Sequence, residues 1–502
     1  MSDLKTVLRD LGGILIIIAV ITLFALAVPI YFNEFFAIGP LLITAGVLFL
    51  IGIPLYLLFK KAELANFKTA MVTAALGWFL ISLIGVIPFT MIGFDKTNPA
   101  FTMDFLSGFF ESMSGWTGTG LTMVDKENLL PYSLQFWRSL IQWIGGVGVI
   151  VLTLSILARP GTGSYILYRS EGRERKTHPS IVSTVRTIWW IFLLYTIIGV
   201  FVLIIINFYD PVGGMDPWQS LNHAMTGIAT GGFSVTDDSI IGFGTISQLV
   251  IVILMVLGGI AFAAHYDLLK GRIKKFLFDA QFQAMILLII IGVFGLTIIN
   301  LNAPNLNYSG NFLLSLKESG FQFVSAITCT GFASAEIPNW TESAKLILAF
   351  AMVVGGAAGS TAGGIKLYRA ILLGKGAGWR IKRSISTPRR VFVHKLGDKP
   401  ISKEDAIDLI NEAAIISFMW VILIFIGVIV IAYIFPDETL GNVIFEVCSA
   451  QGNVGLSTGI TSMEMSPYGK IMLIFNMWVG RLEIIPIIVL VKSMFGIRRN
   501  IP

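Results

Sequence analysis

The sequence predicts an all-α polytopic membrane protein with four span–pore-helix–loop–span repeats in pseudo-fourfold symmetry around one pore, preceded by two extra N-terminal transmembrane helices. Three observations lead to this prediction. Of the 502 residues, 55% are hydrophobic and only 13% are charged, whereas a soluble domain carries about 25% charged residues. Ten apolar runs approach the roughly 20 residues that cross a bilayer. Four shorter apolar runs each lead into a glycine-containing stretch, which accounts for part of the 51 glycines.

The ten long apolar runs are the predicted membrane spans. They fall near residues 12–32, 38–59, 70–93, 135–158, 187–208, 247–269, 279–300, 344–373, 409–434 and 469–495. Lys5 and Arg9 precede the first run, which is too long for a signal-peptide core, so we expect a retained helix. Two cysteines exclude a disulfide framework, and four histidines disfavour a multi-histidine metal centre.

Basic residues predict the orientation in the membrane. Most Lys and Arg residues lie in alternate connections, including residues 60–68, 159–186, 270–275 and 366–403, whereas the other connections are acidic. The positive-inside rule then places both termini in the cytoplasm. The net charge of +6 is explained by this topology, so a nucleic-acid partner is not expected. The basic stretch from Lys366 to Lys403 is either an ordinary topology determinant or a contact for a partner or anionic lipid.

The four short apolar runs, near residues 102–116, 217–228, 313–327 and 439–450, indicate re-entrant or interfacial segments. They lead into the sequences GWTGTGL, GIATGGF, AITCTGF and AQGNVGL, each ending in Gly followed by Leu or Phe. A second glycine follows each of these at a nearly constant distance, and these second glycines are Gly145, Gly258, Gly355 and Gly480. Such regularity identifies a degenerate fourfold repeat.

The repeat divides the chain into six predicted regions. A two-helix extension covers residues 1–66, and pore repeats 1 and 2 cover 67–160 and 180–275. Repeat 3, with a broken second helix, covers 276–375. A basic cytoplasmic loop covers 376–408, and repeat 4 covers 409–502.

Four equivalent glycine loops can build a selectivity filter. A ring of backbone carbonyls can replace the hydration shell of a monovalent cation, and glycine permits the positive φ that turns successive carbonyls inward. The alternative, in which the glycines only permit close helix packing, does not explain their constant register. The predicted filter residues, which would coordinate the ion through their backbone, are Thr117, Gly118, Thr119, Gly120, Ala229, Thr230, Gly231, Gly232, Thr328, Cys329, Thr330, Gly331, Gly452, Asn453, Val454 and Gly455.

Two features of the later spans also point to a pore. The eighth span contains GGAAGSTAGG, and so many glycines weaken a helix. This break either lines a cavity or is a flexible helix end; the other repeats are apolar at this point, which favours a cavity. Arg481, in the last span, should face a cavity or an acidic partner. It either limits cation occupancy or forms a structural ion pair, with Glu483, Glu111 and Glu446 as candidate partners.

These motifs resemble the TrkH branch of the Trk/Ktr/HKT superfamily of potassium transport proteins. The loop motifs are FESMSGWTGTG, HAMTGIATGGFS, SAITCTGF and SAQGNVGLSTG, and those on the following helices are QWIGGVG, GGIAFAAHY, GGAAGSTAGGIK and GRLE. The resemblance covers nearly the whole chain. The two extra N-terminal spans resemble TrkH rather than the shorter KtrB type.

The resemblance implies several expectations about function. It implies potassium uptake, a homodimer in the cell membrane, and regulation by a TrkA-like cytosolic nucleotide-binding ring. Nucleotide would then bind only the partner, and the chain itself would hold potassium in the filter and no other cofactor. Some sodium-conducting relatives carry Ser at the position of Gly120, so glycine here favours potassium. The family's gate lies under the filter, which would assign the gate to Gly355, Gly356, Gly359, Ser360, Thr361, Gly363, Gly364 and Lys366.

Two other functional classes compete with a pore. A transporter coupled to a sodium or proton gradient is the leading alternative, but such proteins commonly show inverted repeats, whereas these four repeats enter the membrane in one orientation. An intramembrane enzyme would need paired catalytic groups at membrane depth. Neither Cys329 nor Cys448 has the His–Asp setting of a nucleophile, so we expect no enzymatic activity.

Overall fold

The structure of the protein is a computed structural model that describes residues 2–93, 102–148, 181–304, 306–387, 394–396 and 399–494. The helices of its first half are α1 (Ser2–Phe24), α2 (Ala27–Tyr31), α3 (Ile38–Leu58), α4 (Phe67–Ile84), α5 (Ile87–Met91), α6 (Phe105–Thr117), α7 (Tyr132–Val147), α8 (Ile181–Tyr209), α9 (Pro217–Ile228), α10 (Thr245–Gly259) and α11 (Phe262–Leu269). The remaining elements are α12 (Ile273–Leu277), α13 (Ala280–Leu301), α14 (Phe312–Ile327), α15 (Glu342–Val354), α16 (Leu367–Ser384), β1 (His394–Leu396), β2 (Lys399–Ile401), α17 (Lys403–Ile434), α18 (Leu440–Gly452), α19 (Pro467–Arg481) and α20 (Ile485–Met494). Short 3-10 helices cover Phe35–Ala37, Glu127–Leu129 and Ile337–Asn339.

The N-terminal extension packs through glycine. Helix α1 lies against α3 and α4, and Gly12 and Gly52 bring the backbones of α1 and α3 into close approach. A Cβ at Gly12 would lie 2.7 Å from the Gly52 carbonyl oxygen, which is the reason small residues are favoured between membrane helices. Helix α4 begins with a capping box, in which the Asn66 side chain accepts a hydrogen bond from Thr69 N and Thr69 Oγ1 accepts one from Asn66 N.

The predicted all-α polytopic membrane fold is confirmed. Six helical stretches among the described residues are long and apolar enough to cross a membrane, or eight if two bent helix pairs each count as one span. The six stretches are Asp3–Tyr31, Phe35–Leu58, Phe67–Met91, Ser183–Tyr209, Ala280–Leu301 and Lys403–Ile434. Of the two other predicted spans, 135–158 extends past the described residues, and 344–373 is divided between α15 and α16.

The second helices of repeats 2 and 4 differ from expectation. Residues 247–269 and 469–495 are predicted as continuous spans, but α10 meets α11 at 105° and α19 meets α20 at 110°. The second bend occurs at Glu483 and Ile484, which have φ of 56° and 74° and therefore cannot continue an α-helix. The sequence on both sides of each bend is apolar, so hydropathy alone predicts one continuous span.

Four short helices, α6, α9, α14 and α18, correspond to the four short apolar runs. They have 12 to 16 residues, too few to cross the roughly 30 Å bilayer core. Each begins with a side chain that accepts a hydrogen bond from a backbone N–H of the first turn, and these caps are Asp104, Asp216, Asn311 and Thr439. Each helix packs against the second helix of its own repeat.

The basic connection at 376–408 contains more secondary structure than a loop. Helix α16 continues to Ser384, and β1 pairs antiparallel with β2, with His394 opposite Ile401. Ser402 then caps α17 by accepting a hydrogen bond from Asp405 N. The intervening residues 388–393 and 397–398 lie outside the described part of the chain.

Candidate functional site

The four short helices all end in the same left-handed turn. The residues at the turn are Gly118, Thr230, Cys329 and Asn453, with φ between 50° and 67°. The next residue in each loop donates its N–H to the carbonyl five positions earlier, at distances of 2.8–2.9 Å. A positive φ is unusual for Thr and Cys. A search of the sequence for glycine therefore does not find this left-handed turn in all four repeats.

The loops that follow the turns form a closed ring. We name them loop 1 (residues 117–120), loop 2 (229–232), loop 3 (328–331) and loop 4 (452–455). Their final glycines, Gly120, Gly232, Gly331 and Gly455, have φ of 93°, 76°, 90° and 99°. Each of these glycines lies against the carbonyl of the residue before the final glycine of the next loop.

The ring contacts run in one direction. Gly120 lies against Gly231 O and Gly232 against Thr330 O, and a Cβ at either glycine would overlap that oxygen. In the same way Gly331 lies against Val454 O and Gly455 against Thr119 O, which closes the ring. Glycine is therefore required at these four positions both by φ and by space.

Hydroxyl groups six residues before the glycines support three of the loops. The Oγ atoms of Ser114, Ser325 and Ser449 accept hydrogen bonds from the N–H groups of Gly120, Gly331 and Gly455 at 3.0–3.1 Å. In repeat 2 the equivalent Thr226 hydroxyl donates to Phe233 O at 2.8 Å. The sequence analysis did not predict these hydroxyls, although a Ser or Thr stands six residues before the ring glycine in all four repeats.

Side chains within the loops bond to one another. The hydroxyls of Thr117 and Thr119 lie 2.8 Å apart, as do those of Thr328 and Thr330. Asn453 Nδ2 donates to Thr119 Oγ1 at 2.9 Å and so joins loop 4 to loop 1. Thr117 and Gly452 are the last residues of α6 and α18, while the other predicted loop residues follow their helices.

Buried polar groups hold the chain beyond the ring. Glu111 accepts hydrogen bonds from Thr122 Oγ1 and Met123 N, and Glu446 accepts them from Ser457 Oγ and Thr458 N. His223 occupies the same register in repeat 2 and lies 2.9 Å from Ser234 Oγ. These residues fix the chain segment that follows loops 1, 2 and 4.

Arg138, which the sequence analysis missed, connects repeats 1 and 2. This buried side chain pairs with Glu111 at 2.8 Å and donates to the Ser234 carbonyl at 3.0 Å. Its guanidinium also lies 4.2 Å from the centre of the Phe233 ring. A charge buried this fully is stable only when it is paired and hydrogen-bonded, and both conditions are met.

The second glycine of each repeat has a contact that explains its constant register. Gly145, Gly258 and Gly480 lie against the carbonyls of Trp116, Ile228 and Gln451 respectively, each four residues before the ring glycine. Since a Cβ at any of these positions would overlap the oxygen, the second helix can approach the short helix only through glycine. In repeat 3 the equivalent Gly355 lies instead against Gly363 O.

The segment 355–366 replaces the helix between α15 and α16. Gly355, Gly359 and Gly364 have positive φ, and so does Lys366 at 80°. The Lys366 ammonium donates to Ala362 O, and Ser360 Oγ donates to Ala357 O at 2.6 Å. All the residues predicted for a gate therefore lie in one irregular segment.

This segment bonds to the side of the ring on which the short helices end. Thr361 N and Oγ1 both donate to Gly258 O, at 3.1 and 2.9 Å, and Thr230 Oγ1 donates to Thr361 Oγ1 at 3.0 Å. Gly364 N donates to Gly452 O at 3.1 Å. Gly356 lies near Ala362, and Gly363 lies directly against Gly452 O. The segment thus contacts repeats 2 and 4 where their short helices end.

Arg481 bonds to carbonyl groups. It donates to Thr361 O at 3.2 Å, to Gly146 O at 2.9 Å and to Gly145 O, and it lies 5.2 Å from the centre of the Trp78 ring. Of its candidate partners, Glu111 bonds Arg138 and Glu483 bonds Arg369, while Glu446 accepts from the loop beyond the ring. Arg481 therefore joins the 355–366 segment to the end of α7.

The arrangement has the chemistry of a monovalent cation site. Four helices direct their partially negative C-terminal ends toward one ring, and the ring supplies backbone carbonyl oxygens and no carboxylate within the loops. Such oxygens can replace the water around a desolvated monovalent cation. Within the described residues, His, Cys, Asp and Glu side chains form no cluster of three suited to a metal ion.

Comparisons with known proteins identify similar sequences. The profile of the TrkH family, described as "Cation transport protein", matches residues 42–496. An uncharacterised cation transporter of Methanocaldococcus jannaschii is 34% identical over 98% of this chain and 96% of its own length. The Trk system potassium uptake protein TrkH of Escherichia coli K12 is 32% identical over 87% of each chain.

A solved structure has the same fold. The crystal structure of the potassium transporter TrkH from Vibrio parahaemolyticus superposes with a TM-score of 0.81 and 25% sequence identity, covering 98% of this chain and 99% of that one. The agreement extends over the N-terminal helices as well as the repeats.

Proposed function

Because this chain belongs to the TrkH family of cation transport proteins, we propose that it takes up potassium across the cell membrane through a filter formed by loops 1 to 4. The observation that carries the proposal is the closed ring, in which each of four positive-φ glycines lies against a carbonyl of the next loop. Backbone carbonyls in such a ring suit a monovalent cation. Potassium is favoured because several relatives with at least 30% identity are potassium uptake proteins.

The proposal includes a gate and a cytosolic partner. The 355–366 segment would obstruct the path on the inner side of the ring, because it bonds to Gly258 O and Gly452 O. With both termini in the cytoplasm, α16 and the β1–β2 hairpin, which are rich in Lys and Arg, would face a TrkA-like nucleotide-binding ring. Two copies of the chain would form the membrane unit, and nucleotide would bind only the partner.

The test is ion uptake into liposomes that contain the purified protein. We expect the wild type to pass rubidium, a potassium substitute, in preference to sodium. Gly331→Ser places a Cβ against Val454 O at a φ of 90°, so we expect the rubidium-to-sodium ratio to fall at least about tenfold, equivalent to about 1.4 kcal/mol. Gly310→Ser is the matched control, because Gly310 also has a positive φ, 77°, but no atom within 4 Å of its Cβ position.

The same liposomes separate a channel from a coupled transporter. Rubidium uptake driven by its own gradient, with no sodium or proton gradient, supports the channel. Uptake that stops without one of those gradients supports the coupled transporter instead. Failure of the wild type to pass any monovalent cation contradicts both.

A further inference from the structure

Loop 2 differs from the other three loops at one position. The residue before the ring glycine is Thr119, Thr330 or Val454 in loops 1, 3 and 4, but Gly231 in loop 2. A second difference occurs on the helices that carry the second glycines. Three residues before those glycines stand Met255, Met352 and Met477 in repeats 2, 3 and 4, but repeat 1 has Gln142.

The structure brings these two exceptions together. Gln142 is fully buried, and its Nε2 donates to Gly231 O at 2.6 Å while its Oε1 accepts from Phe233 N at 3.0 Å. A Cβ at Gly231 would lie 2.5 Å from Gln142 Oε1 and 2.6 Å from its Cδ. The amide of Gln142 therefore occupies the space that a side chain at position 231 would need.

The bonded oxygen is part of the ring. Gly231 O is the atom against which Gly120 lies, so Gln142 holds the junction between loops 1 and 2. Gln142 also bonds on the far side of the ring glycine, at Phe233, whose carbonyl accepts from Thr226. Two side chains thus fix the backbone on both sides of Gly232.

We propose that Gln142 is a positioning residue for ion selectivity. Its amide takes the place of the side chain that loop 2 lacks at Gly231. The proposal rests on the proposed function, since it assigns selectivity to the ring. Its physical basis is that a carbonyl can discriminate between ions only if its position is held, and a glycine with no side chain packs too little to hold it. Repeat 1 supplies the missing contact from a neighbouring helix.

The proposal predicts that positions 142 and 231 are exchangeable as a pair. Gln142→Met introduces the residue of the other repeats and removes both hydrogen bonds. Gly231→Val, which introduces the residue found in loop 4, collides with the Gln142 amide. The double variant Gln142→Met with Gly231→Val reproduces the pair found between repeats 3 and 4, where Met352 lies on the second helix of repeat 3 and Val454 lies in loop 4.

The experiment measures the rubidium-to-sodium uptake ratio in liposomes, together with the elution profile of each purified variant. We expect each single variant to lower the ratio about tenfold, or about 1.4 kcal/mol, and the double variant to recover to within about threefold of wild type. Gln142→Glu retains an acceptor for Phe233 N but no donor for Gly231 O, so it should also lower the ratio. The matched control is Gln135→Met, which removes a buried α7 amide that bonds Glu127 O at 2.9 Å and should leave the ratio unchanged.

Every outcome of this experiment either supports or contradicts the role proposed for Gln142. A folded Gln142→Met protein with the wild-type ratio overturns the proposal, as does a double variant no better folded and no more selective than the worse single variant. If the single variants misfold and the double variant folds, the exchange is supported. A wild type that does not prefer rubidium defeats the proposed function itself, whatever the behaviour of Gln142.

Discussion

The second helices of repeats 2 and 4 break in the same place as that of repeat 3, but the length of the break differs. Two residues separate α10 from α11, and three separate α19 from α20. Between α15 and α16 the segment has twelve residues, 355–366. Each break begins within two residues of the second glycine of its repeat, which is Gly258, Gly355 or Gly480. Repeats 2, 3 and 4 therefore share a break near this glycine, and the break of repeat 3 is the longest of the three.

The two kinds of break are stabilised differently. In the α19–α20 break the freed Leu482 N bonds locally, to Val479 O. In the α10–α11 break Ile260 N bonds locally to Val256 O, but Phe262 N donates to Gly359 O of repeat 3 at 3.0 Å. The 355–366 segment bonds to other repeats, through Gly258 O, Gly259 O and Gly452 O. Its position consequently depends on contacts between repeats, and those contacts are what a conformational change could release.

The largest expected effect comes from making the long break resemble the short ones. Replacing Gly359, Ser360 and Thr361 with a single glycine removes two hydrogen bonds of the Thr361 hydroxyl, one donated to Gly258 O and one accepted from Thr230 Oγ1. Each buried hydrogen bond contributes about 1 kcal/mol, so losing two should favour an open state by roughly tenfold or more. We expect rubidium uptake into liposomes to rise by that factor with an unchanged rubidium-to-sodium ratio.

Thr361→Ser serves as the control for this shortening, because it keeps the hydroxyl and should show wild-type uptake. An unchanged uptake rate in the shortened protein would contradict the assignment of a gate to this segment. A changed ion ratio would instead show that the segment shapes the ring.

Hydropathy and spacing were enough to predict the repeats, because burial in lipid requires apolar runs and a close backbone contact requires glycine. They predicted the four ring glycines and the irregular segment at Gly355–Gly364. They did not predict the bends after Gly259 and Arg481, because the chain is apolar on both sides of each bend.

The sequence also did not predict the contacts of the buried polar side chains. Arg138 and Gln142 are the clearest examples, since each acts on a loop of a different repeat roughly ninety residues away in the chain. A polar residue in an apolar helix shows that a partner exists, but not which one. An alignment of the four repeats shows that Gln142 replaces the methionine of the other three, and that Gly231 replaces the Thr or Val of the other loops. The alignment does not show that these two residues are in contact.

An intermediate effect is expected at Arg481, which contacts both kinds of break. Arg481 is the last residue of α19, before the bend to α20, and its guanidinium donates to Thr361 O in the 355–366 segment. A unit charge a few ångströms from a cation costs about 1 kcal/mol even at the dielectric of water. If it limits cation occupancy, Arg481→Ala should raise single-channel current about fivefold, whereas Arg481→Lys, which keeps the charge, should stay near wild type.

A purely structural Arg481 predicts another pattern. In that case Arg481→Ala would lower the thermal stability of the purified protein, and Arg481→Lys would share the loss because an ammonium cannot reproduce the bonds to Thr361 O, Gly145 O and Gly146 O. Measuring current and melting temperature on both variants separates the two roles.

The smallest effect concerns the short break of repeat 4 and its link to α16. Arg369 of α16 pairs with Glu483, whose positive φ helps to form the α19–α20 bend. The two side chains are 17% and 15% exposed, so water screens the pair only in part. Glu483→Gln should therefore lower the free energy of unfolding by about 1–2 kcal/mol, less than the 3–5 kcal/mol of a fully buried pair.

A change at Arg369 shows whether the lost stability comes from the ion pair between Arg369 and Glu483. If Arg369 and Glu483 act together, Arg369→Gln combined with Glu483→Gln should cost less than the sum of the two single changes, because each single change already removes the interaction. Strict additivity in denaturant or thermal unfolding would show that each side chain stabilises its own helix separately. In that case the bend of repeat 4 would be fixed by its backbone and packing rather than by its contact with the helix that follows the long break.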